Sequence, residues 1–152
     1  MKSTTRNIVD EQHDYAVWIP AVTPRGQNVT VQTGARGRVH IMHAESPDQS
    51  ELYFEVAAYS SLADHIMLAT EQQSHLRRQS GDAQVSEIAK FETGVHSGTS
   101  FDFRGTLQGR WKVRRFLFID GSSRTYRVVR DPTSDLNERV LESLDLQRPC
   151  DG

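Results

Sequence analysis

The residues best suited to chemistry in this chain are six histidines, two carboxylates set inside apolar runs, and a C-terminal stretch dense in arginine. A metal ion needs imidazole, thiolate or carboxylate donors that converge on one point. His40 and His43 lie three residues apart in an alternating run, which sends their rings to opposite faces of a strand. His65 and His75 share a helical pattern but are out of phase on it, and neither has a cysteine or second histidine to complete a ligand set. No metal site and no cofactor is expected from these spacings.

Glu55 stands between Phe54 and Val56, and Asp102 between Phe101 and Phe103. Burial would raise the pKa of either carboxyl and suit it to acid–base work. Alternation gives a plainer reading, in which each points to solvent from a sheet with one wet face. The lone cysteine, Cys150, follows Pro149 near the end of the chain and has no partner for a disulfide.

No Gly-x-Ser-x-Gly elbow, Gly-x-x-x-x-Gly-Lys loop or Gly-x-Gly-x-x-Gly turn occurs. Gly34, Gly37, Gly94, Gly98, Gly105 and Gly109 are therefore assigned to strand ends and turns. An enzyme is not expected.

The strongest asymmetry is cationic. Arg110, Lys112, Arg114, Arg115, Arg124, Arg127 and Arg130 are interleaved with Trp111, Phe116, Phe118 and Tyr126, and Asp120 is the sole acid among them. Guanidinium groups beside aromatic rings suit an acidic protein partner, a phosphate or a stacked base. The competing reading is a solvated sheet face paired with Asp131, Asp135, Glu138 and Glu142.

The elements that would carry these side chains follow from periodicity. Tyr15 to Ile19 alternates and is closed by Pro20, which predicts a short strand suited to an edge; strands follow around Val29 to Gly34 and from Arg38 to His43. Leu52 to Tyr59 is nearly continuously apolar, as expected of a central strand covered on both sides. Leu62, Ile66, Ala69, Gln73 and Leu76 fall on one helical stripe, with Ser61 and Asp64 at its start, Arg77 and Arg78 near its end and Gly81 beyond. Val85 to Thr93 and Thr99 to Phe103 read as two strands. Arg110 to Ile119 and Arg124 to Val129 read as an antiparallel hairpin whose Gly121 can take positive φ. A last helix carries Leu136, Val140, Leu141 and Leu144 on one face, capped by Thr133 or Ser134.

These elements predict one α+β domain over residues 14–146, a mainly antiparallel sheet flanked by two helices, with flexible segments at 1–13 and 147–152. At 152 residues the chain suits a single core, and its formal net charge of −2 argues against nucleic-acid or membrane binding over the whole surface. No run reaches the roughly 20 apolar residues of a membrane span, and no signal-peptide core is visible. A cytoplasmic location is expected.

Tyr15-Ala16-Val17-Trp18-Ile19-Pro20, then Thr125-Tyr126-Arg127-Val128-Val129 and the closing helix with Ser143, together with the order of elements, resemble the PsbP-like fold. That α/β/α sandwich is shared by photosystem II extrinsic PsbP proteins and Ran-binding Mog proteins. The resemblance implies a binding or assembly protein and carries over no catalytic residue. The expected function is a non-catalytic domain acting through contact with a protein partner. The alternatives are a ligand-binding or enzymatic cleft using Trp18, Trp111, His65 or Glu55, and local anion or nucleic-acid binding by the basic hairpin.

Overall fold

The computed structural model describes residues 5–146, and among these residues there are ten strands and two α-helices. β1 (Thr5–Asp10) and β2 (Tyr15–Pro20) form an antiparallel hairpin apart from the main sheet. The main sheet holds β3 (Thr30–Arg36), β4 (Val39–Glu45), β5 (Tyr53–Ala58), β6 (Gln84–Val85), β7 (Ala89–Glu92), β8 (Ser97–Leu107), β9 (Arg110–Asp120) and β10 (Thr125–Arg130). Its order is β3-β4-β5-β10-β9-β8-β6, with β7 also beside β8, and every pairing is antiparallel.

Alternation along the strands gives this sheet two faces, each with its own apolar cluster. Met42, Ala44, Phe54, Val56, Leu117, Ile119, Tyr126 and Val128 point one way, where β2 lays Tyr15, Val17 and Ile19 over them and α2 (Asp135–Ser143) adds Val140 and Leu141. Phe101, Phe103, Phe116, Phe118 and Val129 point the other way, under Ala69 and Leu76 of α1 (His65–Gln79). The result is the expected α+β sandwich, with a helix on each face of a mainly antiparallel sheet.

Several local expectations are corrected. β2 is no edge strand of the main sheet; it forms a hairpin on top of one face. Its partner β1 falls inside the segment 1–13 that was expected to be flexible, and its backbone pairs from Thr5↔Pro20 to Asp10↔Tyr15. The single strand expected from Val85 to Thr93 is two, because Ser86 takes over the ladder between them: Ser86 N donates to Asp102 O, and Asp102 N donates to Ser86 Oγ at 2.7 Å. The cap of α1 is Asp64, whose Oδ1 accepts from Ile66 N and Met67 N, so the turn holding Ser61 and Leu62 lies outside the helix and Leu62 and Ile66 are exposed. Ser134 precedes α2 without capping it; its hydroxyl donates to Glu51 O.

Four glycines also differ from expectation, and two of them, Gly34 within β3 and Gly105 within β8, simply lie inside strands. Gly98 lies inside β8, where a Cβ would come within 2.0 Å of Phe118 O, so only glycine allows this approach of two strands. Gly121 does not have a positive φ; its missing side chain makes room for the Tyr126 ring. The expected tail at 147–152, with Cys150, lies outside the described residues.

Candidate functional site

The seven cations of the C-terminal hairpin do not form one surface, because alternation divides them. On the α2 face, Arg115 makes a two-pronged contact with Asp102 at 2.8 and 3.2 Å, and Arg130 reaches Glu138 of α2 at 2.8 Å. Arg124, just before β10, lies 3.5 Å from Asp14 and donates to Tyr59 O. On the α1 face, Arg127 is held between Glu55 and Gln72, at 2.9 Å from each. These four have internal partners and little charge to spare; only Arg130 uses one of the acids the competing reading named, and Arg115, Arg124 and Arg127 pair with Asp102, Asp14 and Glu55 instead.

Arg110, Lys112 and Arg114 differ. They sit at alternate positions of β9, on the α1 face but beyond the part that α1 covers, and they line two adjoining grooves of about 380 and 360 Å³. The grooves share Gln49, Leu107, Gln108 and Lys112; Glu45 and Asp48 border one, Tyr53 and Gln79 the other.

The floor of this site is built by the loop between β4 and β5. Ser46, almost fully buried, closes that loop: its Oγ accepts from Glu51 N and Leu52 N at 3.0 Å each, and its own N donates to Leu52 O. The short turn Pro47–Gln49 is thereby pushed toward β9 with Asp48 and Gln49 at φ 56° and 57°. Gln108, in the tight turn before β9, has φ 53°. Among the described residues, three of the four non-glycine positions with positive φ thus border one groove, and left-handed backbone at such residues is strain that the surrounding structure must hold.

Gln49 does the holding. Its Oε1 accepts from Lys112 Nζ at 2.9 Å and from Arg114 Nη2, while its Nε2 donates to Glu45. Arg114 is buried, lies 4.0 Å above the Tyr53 ring and is 4.0 Å from Asp131. Arg110 pairs with Asp48 at 2.7 Å in an exposed position. Lys112 has no carboxylate within ion-pair distance among the described residues, and burial beside Arg114 and Arg110 lowers its pKa. Chemically the arrangement is an incompletely neutralised cationic groove with an amide at its centre.

The other sequence candidates are not part of it. Glu55 and Asp102 are each bound to an arginine and lie on opposite faces of the sheet, so they do not pair; Glu55 is largely covered, while the Asp102 side chain stays 43% exposed. Trp111 occupies a β9 position that alternates to the face opposite Glu55, and Trp18 lies in the β1–β2 hairpin, so the cleft of Trp18, Trp111, His65 and Glu55 is not assembled. His65 ties α1 to the sheet: one ring nitrogen meets Asp120 at 2.7 Å and the other Thr99 at 3.2 Å. That hydroxyl–imidazole–carboxylate line has the order of a hydrolytic relay, but the same Asp120 oxygen already accepts the Thr125 hydroxyl, whose own oxygen accepts from Ala63 N. It works as a corner tie.

A second cluster was missed from the sequence. His40 does lie on the face opposite His43, and there it meets Asp10 and His13 of the β1–β2 hairpin. His13 Nδ1 and His40 Nε2 lie 2.8 and 3.2 Å from Asp10 Oδ2. The one signal available was the spacing Asp10-x-x-His13 before the first alternating run.

No family model, no curated protein and no solved structure matches the chain. No helix among the described residues is long and apolar enough to cross a membrane.

Proposed function

We propose that this protein is a non-catalytic binding domain that takes an acidic segment of a protein partner into the groove over β9. The observation that carries the reading is Lys112: a partly desolvated ammonium between two arginines, bonded to a neutral amide and to no carboxylate. Holding like charges together costs free energy in the folded state, and an arriving carboxylate recovers it. Arg110 and Arg114 flank the position at the spacing of alternate strand residues, so an extended peptide with acidic side chains on one face matches them.

What supports the likeness to PsbP-like proteins is the layer order, with a helix on each face of the sheet. Such a likeness concerns packing and leaves the ligand open.

The test is a calorimetric titration with a short glutamate-rich peptide, with inorganic phosphate and a single-stranded RNA oligomer as comparators. The peptide is expected to bind best, and Lys112→Glu to weaken it at least tenfold. Tighter binding of RNA with a steep dependence on salt would replace the peptide by nucleic acid as the partner; equal affinity of wild type and variant would remove the groove from the account.

A further inference from the structure

The cluster of Asp10, His13 and His40 is remote from the cationic groove and has no part in the proposed function. Asp10 ends β1, His13 lies in the turn between β1 and β2, and His40 lies in β4, so the three come from two layers of the fold. One ligand atom from each lies within 4.8 Å of the others. We propose that these three side chains form a binding site for a borderline divalent cation of the Zn²⁺ class, which clips the N-terminal hairpin to the sheet.

The donor set is the first argument. Two imidazoles and one carboxylate suit zinc and its neighbours, while magnesium and calcium take oxygen ligands. Separation is the second. Donors about 2.0 Å from a tetrahedral ion are about 3.3 Å apart, and the two nitrogens are 2.8 and 3.2 Å from Asp10 Oδ2.

The support around the cluster is built in the same way as around a bound ion. Tyr126, buried in the core, donates its hydroxyl to the carbonyls of both His13 and Asp14, each at 2.8 Å, which pins the turn to β10. Asp10 Oδ1 accepts from His13 N at 3.0 Å. Asp14, at φ 59°, pairs with Arg124 and offsets the cation nearest the site. Tyr15 Oη is 3.0 Å from His40 Nε2 and competes with an ion for that nitrogen.

One movement is required. The His13 and His40 rings are stacked, with centroids 3.9 Å apart and planes 9° from parallel, so their in-plane lone pairs run side by side. His13, on the turn and the more exposed of the two, rotates about its side-chain bonds to bring Nδ1 onto the ion.

The experiment is calorimetry of the full chain with ZnCl₂ at pH 7.5, MgCl₂ as control, and Co²⁺ absorption as a spectroscopic readout. One equivalent of zinc is expected to bind with a micromolar or lower dissociation constant, raise the thermal midpoint by several degrees and leave magnesium inert. Asp10→Asn and His40→Gln are each expected to weaken binding at least tenfold. His13→Ala, in the turn and away from the core, does the same without risk to the fold, and His43→Gln on the opposite face leaves binding unchanged. Absence of zinc binding by wild type, or binding retained in folded His13→Ala and His40→Gln, overturns the proposal.

Discussion

The two faces of the main sheet are made by the same strands and yet are closed in different ways. On the α2 face, the β1–β2 hairpin and α2 together cover β4, β5, β9 and β10, and the residues beneath are almost all apolar and buried. On the α1 face, one helix covers β8 and β9, and the strands beyond it present His43, Glu45, Tyr53 and Glu55. The sealed face supplies stability, because apolar burial scales with area removed from water. The half-covered face keeps polar groups that a stability argument alone does not require, and the groove with Lys112 lies there.

This comparison is broken most directly by truncating each face in turn. Phe54→Ala, beneath the sealed layer, is expected to cost about 3–5 kcal/mol by chemical denaturation. His43→Ala, on the open part of the other face, is expected to stay within about 0.5 kcal/mol of wild type. Equal losses at the two positions would mean that the open strands are covered in solution by something else.

Tyr126 sharpens the comparison, since its hydroxyl joins the sealed face to the N-terminal turn. Tyr126→Phe keeps the ring and leaves the carbonyls of His13 and Asp14 without that donor. A loss of about 1–3 kcal/mol is expected, together with faster amide exchange in residues 11–14.

The rim of the sealed face gives a dependence on pH. His96, in the turn between β7 and β8, is almost fully buried, and that burial lowers its pKa, although the carbonyls of Leu141 and Leu144 and the charge of Asp145 oppose the shift. Its folded pKa therefore lies below the ordinary imidazole value of 6.5. The unfolded chain binds the proton more readily, so this contribution is complete above pH 6.5 and is lost as pH falls through the folded value. Thermal midpoints measured from pH 7.5 to 5 should fall in wild type and fall less in His96→Gln. Parallel curves would remove His96 as the cause.

How far these features could be read beforehand depends on the range of the interactions involved. β4, β5, β9, β10 and the two helices were legible because each carries its own periodicity: Phe54 and Val56 alternate whatever they pack against. β1 was not, since Thr5–Asp10 is ordered by pairing with β2 and has no alternation strong enough to announce it. The seven cations were found by composition, and alternation within β9 sets Arg110, Lys112 and Arg114 apart from Arg115, but only the register of β10 against β9 places Arg130 beside Arg115. Gln49 gave no signal at all. Its importance comes from a left-handed backbone in a loop closed by Ser46, which joins residues more than 60 positions apart. The Asp10–His13–His40 cluster was hidden for the same reason: strand alternation correctly separated His40 from His43, and nothing local pointed to the hairpin that folds over it.

The smallest expected change in stability is also the most discriminating. Lys112→Met keeps the length and most of the volume of the side chain and removes its charge. If Lys112 were there to hold the fold, losing its bond to Gln49 would destabilise the protein. Its lowered pKa has burial as its main cause, followed by Arg114 and Arg110, so the folded state works against this charge. The variant is therefore expected to unfold at the wild-type midpoint or slightly above it, within about 0.5 kcal/mol, while its affinity for the glutamate-rich peptide falls at least tenfold. Residues kept for binding at some cost to stability show this opposition. A variant that lost stability and kept its affinity would place Lys112 among the structural contacts and return the open face to a merely solvated one.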